Sequence, residues 1–280
     1  MDQERADRFV QCFLGLVIAE CREAQMENDL RRSSFDWDGR LGFSGQALCL
    51  GESLLEARGW DPADFLRRVR QGVTNEGWRN SERLRRLLNG SDPTPLEEQG
   101  DSDADLAEPL IRGVAVGLRY FRDLGGLMEV SHQVCRLTHP EPIFRYSSLA
   151  INAIISRGVR GWKREEALSF AAEIAGHAPH EVLDCLTAPF EEGDEEKNGE
   201  PGVLRCLRQA IRYFLNGVVG FEDSEEGSGR LWVPGAAPLA GALLGAFGHW
   251  DLDPCPSLSP RVTDRVHRIG HSLLKAALRD

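Results

Sequence analysis

The sequence predicts an all-α protein, a single compact bundle of many helices that extends over all 280 residues. Apolar residues recur at helical spacing along most of the chain. Phe9, Phe13, Leu16 and Val17, for example, form one core-facing stripe. No segment shows the sustained alternation of apolar and polar residues that is typical of a half-buried strand. No linker-like composition divides the chain, so one domain over residues 1–280 is the simplest organisation.

Periodicity and capping residues locate the successive helices. A second apolar stripe covers residues 47–55. Asp61 before Pro62, and Ser81 before residues 82–88, are typical helix starts because their side chains accept hydrogen bonds from the first amides. Further helices are predicted at residues 110–118, 127–137, 143–157, 163–175, 179–186, 203–215, 239–247 and 261–278. The turn-rich or acidic segments at 89–105, 191–201 and 222–229 are expected to be loops.

Charge and composition disfavour several classes of function. The chain has 44 acidic and 33 basic residues and a net charge of −11, which disfavours nonspecific nucleic-acid binding and anionic membrane surfaces. The first residues do not have the pattern of a secretory signal. The apolar run at 231–248 contains Pro and several Gly, so we interpret it as a buried helix with its preceding loop. Seven cysteines without a C-x-x-C pair indicate free thiols and a cytoplasmic location.

The general catalytic motifs do not occur in the sequence. Glycine-rich phosphate loops and the G-x-S-x-G element are both missing. His267 and His271 have a metal-ligand spacing but lack a third ligand, so a solvated helix face is the simpler interpretation. Thr138 and His139 precede a Pro-Glu-Pro segment. They either cap the helix that begins near residue 142 or form a polar pair directed into a pocket.

A series of segments, taken in order, carries a resemblance to a known family. The segments are residues 13–20, 43–54, 61–64, 109–118, 137–142, 203–215 and 239–248. The last of them, L-A-G-A-L-L-G-A-F-G, is similar to the motif I-A-G-A-L-x-G-A-x-x-G. In order and spacing the chain resembles the ADP-ribosylglycohydrolases over about residues 8–275.

The resemblance implies a helical bundle around a central cleft. Enzymes of this family hold two Mg²⁺ ions there with carboxylates and Thr hydroxyls, and the metals orient ADP-ribose and help to activate water or the ribose hydroxyls. The resemblance also assigns a set of residues to the ligand-binding cleft of this chain. These residues are Ser44, Gln46, Arg112, Thr138, His139 and Trp232.

The sequence departs from the family pattern at both places where the metals are held. The T-D-D-T element falls on residues 43–46, which read Phe-Ser-Gly-Gln, and the G-N-G element falls on residues 106–108. The G-G-D-x-D-T element falls on residues 230–235, where Trp232 and Pro234 replace the two aspartates. Residues 40–49 and 230–248 contain no Asp or Glu, so a shift of one position restores none. Because Mg²⁺ requires hard oxygen ligands, we expect no metal and no other cofactor.

Two hypotheses about function follow. In the first, the protein is catalytically silent and acts by binding a partner protein or an ADP-ribose-type ligand. Its acidity, including the stretches 97–108, 191–200 and 222–226, suits a partner with a basic surface. An ADP-ribosyltransferase or an ADP-ribosylated protein is such a candidate partner, whereas nucleic acid and membrane are not expected.

In the second hypothesis, the protein is a metal-independent hydrolase or lyase of altered mechanism. Its substrate would be an ADP-ribosyl group or a related N- or O-glycosidic bond. Glu20 stands where the family has Asp and would be the general acid or base, with Arg112 or His139 orienting an anionic group. The simpler interpretation of Glu20 is an exposed residue on the helix surface at the end of an apolar stripe.

Overall fold

A computed structural model describes residues 2–31, 41–78, 80–90, 103–187, 200–219, 233–249 and 258–279. Within these ranges the chain forms twelve α-helices and no strand, which confirms the all-α prediction. The helices are α1 (Asp2–Arg31), α2 (Phe43–Glu56), α3 (Pro62–Glu76), α4 (Glu82–Leu88), α5 (Asp103–Arg119), α6 (Leu124–Arg136), α7 (Pro142–Gly158), α8 (Arg164–Ile174), α9 (His180–Thr187), α10 (Gly202–Asn216), α11 (Ala236–Ala246) and α12 (Pro260–Arg279).

The centre of the bundle is the close packing of α1 against α11. Every residue of α11 is buried, as the sequence predicted for this part of the apolar run. A Cβ atom at Gly241 would lie 2.8 Å from the carbonyl carbon of Gly15, and one at Gly245 would lie 2.7 Å from the amide nitrogen of Cys12. Only glycine therefore allows the two backbones to approach so closely. Among the described helices, none combines the length and the apolarity needed to cross a bilayer.

Two of the predicted helix starts are confirmed. The Asp61 carboxylate accepts the amides of Ala63 and Asp64 at 2.9 and 3.1 Å, at the start of α3. The Ser81 hydroxyl accepts the amide of Leu84 at 3.2 Å, at the start of α4. Each oxygen satisfies amides that have no partner within their own helix.

The capping interpretation of Thr138 and His139 is wrong. Helix α7 begins at Pro142, and its N-cap residue is Glu141. The proline at the first position has no amide hydrogen and a backbone angle that already suits a helix, so it needs no side-chain cap. The hydroxyl of Thr138 is instead part of a buried hydrogen-bonded cluster.

Helix α5 begins earlier than the sequence predicted. It starts at Asp103, although residues 89–105 were expected to form a loop, and it contains Pro109 in its interior. The turn-rich and acidic composition of residues 89–105 indicated a loop. Pro109 lacks an amide hydrogen, so α5 continues through it with one internal hydrogen bond fewer. The acidic segments at 97–102, 191–199 and 222–226 lie outside the described residues.

The cysteines in the described part of the chain are buried free thiols, as expected. They are Cys12, Cys21, Cys49, Cys135, Cys185 and Cys206. The seventh, Cys255, lies outside the described residues. Burial raises the pKa of the Cys49 thiol to about 11, so it stays protonated at neutral pH and behaves as a packing residue.

Candidate functional site

The carboxylate of Glu20, on α1, closes the N-terminal end of α2. It accepts hydrogen bonds from the amides of Gly42 at 3.2 Å, Phe43 at 2.7 Å and Ser44 at 3.2 Å, and from the Ser44 hydroxyl. The first amides of a helix have no internal partner, and the positive end of the helix dipole favours an anion there. Glu20 is therefore half-buried against the next helix instead of lying exposed on the surface of α1.

Opposing effects act on the acidity of Glu20. Burial raises the pKa of its carboxyl group, whereas the hydrogen bonds from Ser44, Gly42 and Phe43 lower it. The net direction is upward, as expected for a carboxylate in a partly apolar site. Both carboxylate oxygens are nevertheless used as acceptors by groups of the protein itself.

The indole ring of Trp78 covers the same end of α2. A Cβ atom at Gly45 would lie 2.9 Å from Cδ2 of this ring, and one at Gly72 on α3 would lie 2.5 Å from Cη2. The ring is only 4% exposed and is held between the two glycine positions. Sequence reasoning did not identify Trp78, because a single Trp after a helix has no pattern that links it to glycines on other helices.

A second glutamate of α1 closes the N-terminal end of α11. The amide of Gly235 donates to Oε1 of Glu23 at 2.9 Å, and Glu23 is buried. Gly235 has a left-handed φ of 83°, and a Cβ atom there would overlap the Cβ of Ala107. Glu20 and Glu23 are separated by one helical turn, so one face of α1 supplies the acceptor at both helix ends.

Arg112 is the centre of a polar cluster that is completely buried. Its guanidinium donates to Oε1 of Glu108 at 2.9 Å, to the Thr138 hydroxyl at 2.7 Å and to Oε1 of Gln46 at 3.3 Å. It also donates to the carbonyl of Val134 at 3.3 Å. Three of the predicted cleft residues, Gln46, Arg112 and Thr138, are thus brought together, but all are 0% exposed.

His139 continues this cluster on its inner side. Its Nδ1 lies 2.9 Å from the Thr138 hydroxyl, and its ring packs against Phe144 with the centroids 4.5 Å apart and the ring planes tilted by 40°. Burial and the positive charges of Arg83 and Arg112 hold the pKa of His139 well below its ordinary value. The imidazole is therefore neutral at physiological pH.

Two charged residues of the cluster were missed by sequence reasoning. Arg83 is fully buried and donates to the carbonyl of Thr138 at 3.0 Å and to Glu141 at 3.3 Å. Glu108 is fully buried and accepts the amide of Ser81 at 2.8 Å in addition to its bond with Arg112. Both residues lie in charged stretches of sequence, where solvent exposure is the normal expectation.

Comparison with known proteins identifies the family. The ADP-ribosylglycohydrolase family model matches residues 1–254. The chain belongs to the ADP-ribosylglycohydrolase family. A solved structure named "ADP-ribosylglycohydrolase-related protein complex" is similar, with a TM-score of 0.64 and 20% identity over 98% of this chain and 99% of that chain. At this identity the likeness shows the fold alone, and it confirms the predicted helical architecture. No curated protein sequence matches the chain.

Two motifs of the ADP-ribosylglycohydrolases coincide with positions of this chain that have no room for their side chains. The T-D-D-T element falls on the first turn of α2, where its second aspartate would replace Gly45 and collide with Trp78. The threonine that ends G-G-D-x-D-T would replace Gly235, where any side chain meets Ala107. Trp232, the remaining predicted cleft residue, lies outside the described residues.

The residues at these two positions do not fit the metal pair of the ADP-ribosylglycohydrolases. Across the described ranges, no group of three His, Cys, Asp or Glu side chains is placed to hold a metal ion. The Ser44 hydroxyl donates to Glu20, and the Gln46 oxygen accepts from Arg112. Both side chains are thus already committed to protein partners, and the Arg112 guanidinium beside Gln46 is paired with the buried Glu108 carboxylate. Neither position therefore presents a free hard oxygen ligand to a cation.

Proposed function

We propose that this member of the ADP-ribosylglycohydrolase family is catalytically silent and acts by binding. One observation carries the proposal: the end of α2 that holds metal ligands in the family is closed by Glu20 and covered by Trp78. The free amides of this helix end are satisfied by the protein's own carboxylate. A substrate water or a metal would have to displace both side chains to reach them.

A second candidate function is a metal-independent hydrolase or lyase that uses Glu20. The raised pKa of this carboxyl favours it, since a general acid must hold its proton near neutral pH. The geometry opposes it, because a proton donor must point at the substrate while Glu20 accepts hydrogen bonds from three amides and a hydroxyl. Binding without turnover is therefore the better-supported proposal.

The ligand we propose is a partner protein with a basic surface, or an ADP-ribose-type group carried by it, in the cytoplasm. The net charge of −11 supports a basic partner, because complementary charge speeds and orients association. An ADP-ribosyltransferase and an ADP-ribosylated protein are the candidates. No cofactor is included in this proposal.

The test combines turnover with binding. The full chain is incubated with an ADP-ribosylated protein, with and without Mg²⁺, and released ADP-ribose is measured; we expect no release above background. Isothermal titration with ADP-ribose is expected to give the same result with and without Mg²⁺. Turnover or tight binding that requires Mg²⁺ would show that the proposal is wrong.

The same turnover assay distinguishes the second candidate function, catalysis by Glu20, from binding without turnover. Metal-independent turnover that is lost in Glu20→Gln, and kept in the control Glu4→Gln, would establish catalysis by Glu20. Glu4 is a suitable control because it lies on the same helix in an exposed pair with Arg8.

A further inference from the structure

A cationic cavity lies at the opposite end of α1 from Glu20. Its volume is about 450 Å³, and it is lined by Arg5, Phe121, Arg122 and Arg160. Arg5 and Glu20 are about 22 Å apart along the helix axis, at 1.5 Å per residue. The cavity is therefore separate from the candidate site and from the proposal made for it.

Two tight turns and one helix build this cavity. Phe121 and Arg122 are in the turn after α5, and Arg160 is in the turn after α7. Arg5 joins the two turns: its Nε donates to the carbonyl of Val159 at 3.3 Å, and its guanidinium lies 5.6 Å from the centroid of the Phe121 ring. Phe121 is only 3% exposed, so its ring is a fixed apolar part of the cavity wall beside the Arg5 guanidinium.

Within the described residues, the arginines of this cavity have no carboxylate partner. In the described part of the chain, the side chains of Arg122 and Arg160 make no hydrogen bond and no ion pair, and the hydrogen bond of Arg5 goes to a carbonyl. The neighbouring carboxylates make their hydrogen bonds to other groups. Glu4 pairs with Arg8 at 2.6 Å, and the Asp123 carboxylate accepts the amide of Gly126 at 3.0 Å.

Arg157 adds a further positive charge next to this cavity. Arg157, one turn before Arg160, is 8% exposed and lies over the Phe170 ring at 3.6 Å. Burial and the charge of Arg160 lower the pKa of Arg157. Although the chain carries a net charge of −11, the described side chains that line and adjoin this cavity are mainly arginines, which attract anions.

We propose that this cavity binds a diphosphate anion, either free or as part of a small molecule. Planar guanidinium groups bind phosphate oxygens through paired hydrogen bonds. Three of them around one cavity favour a ligand with several negative charges over a single carboxylate. The volume lies within the range of about 300–1,000 Å³ that is typical of small-ligand sites.

Isothermal titration of the full chain with inorganic pyrophosphate tests the proposal, without added metal. We expect saturable binding that is at least about tenfold weaker in the double variant Arg122→Gln/Arg160→Gln, which removes two of the three guanidiniums. The matched control is Arg136→Gln, an exposed arginine at the far end of α6. It removes one positive charge away from the cavity and should bind as the wild type does.

Two further probes define the ligand. Orthophosphate at equal ionic strength should bind at least about tenfold more weakly than pyrophosphate, because it reaches fewer guanidiniums. The affinity of ADP relative to pyrophosphate separates the two sources: tighter binding of ADP identifies an organic diphosphate as the ligand, and tighter binding of pyrophosphate identifies the free anion. The proposal is overturned if the wild type shows no saturable binding, if the double variant binds equally, or if orthophosphate and pyrophosphate bind alike. Circular dichroism of each variant verifies that the fold is intact, and both replaced side chains are exposed.

Discussion

Replacement of Arg112 by Met is expected to destabilise the protein strongly. Arg112 donates to Glu108, Thr138, Gln46 and the Val134 carbonyl, and both it and Glu108 are 0% exposed. Methionine keeps most of the apolar volume but leaves the Glu108 carboxylate without its guanidinium. Removal of one partner of a buried ion pair costs about 3–5 kcal/mol, so we expect a loss of this size in the free energy of unfolding.

A double-mutant cycle isolates the charge contribution. In Arg112→Met/Glu108→Gln the buried negative charge is also removed, while the amide oxygen can still accept the amide of Ser81. The double variant should therefore be more stable than the sum of the single losses predicts, by at least about 1 kcal/mol. The measurement is urea-induced unfolding followed by far-ultraviolet circular dichroism.

A surface arginine is the control for this experiment. Arg136→Met removes the same side chain from the exposed end of α6 and should change the free energy of unfolding by less than about 0.5 kcal/mol. If Arg112→Met costs less than about 1 kcal/mol, or if the cycle shows no coupling, the buried ion pair is not a main support of this part of the fold.

Two other properties of the core give measurable predictions. Because the pKa of His139 is well below its ordinary value in the folded chain, the unfolded chain takes up a proton that the folded chain does not. Stability should therefore fall as the pH drops below about 6.5, by up to about 1.4 kcal/mol per pH unit from this residue. The free energy of unfolding, measured with urea at several pH values, should change less with pH in His139→Gln than in the exposed-histidine control His267→Gln. An equal pH dependence in the two variants would contradict the assignment. Gly245→Ala should lower the free energy of unfolding by about 3 kcal/mol or more, since its Cβ would lie 2.7 Å from the amide nitrogen of Cys12. The control Gly125→Ala, on an exposed turn of α6 with 3.6 Å to the nearest atom, should be neutral or slightly stabilising in the same assay, and equal losses would refute the close-packing argument.

Local patterns predicted much of the fold. The start of α3 at Pro62 follows from Asp61, whose carboxylate accepts the first amides as its position in the sequence indicated. The buried α11 follows from a run of small apolar residues without charge. Such features act between residues that are close in sequence, so one chain is enough to identify them. The start of α5 at Asp103 was missed because residues 89–105 have the turn-rich, acidic composition of a loop.

Only part of the candidate site could be predicted from the sequence. Sequence reasoning selected Glu20, Ser44, Gln46, Arg112, Thr138 and His139 through the resemblance, and the structure places the last four in one cluster with Glu20 bonded to Ser44 nearby. It did not select Glu108, Arg83 or Trp78. Their burial depends on side chains of other helices, which no spacing along the chain records.

The sequence by itself determined that the chain is helical, that it resembles the ADP-ribosylglycohydrolases, and that carboxylates are missing from residues 43–46. Only the tertiary structure decided what takes their place. Glu20 and Glu23 reach the ends of α2 and α11 because those helices point their amides at one face of α1. The physical reason is the unsatisfied first turn of a helix, which must find an acceptor wherever the fold brings one within reach.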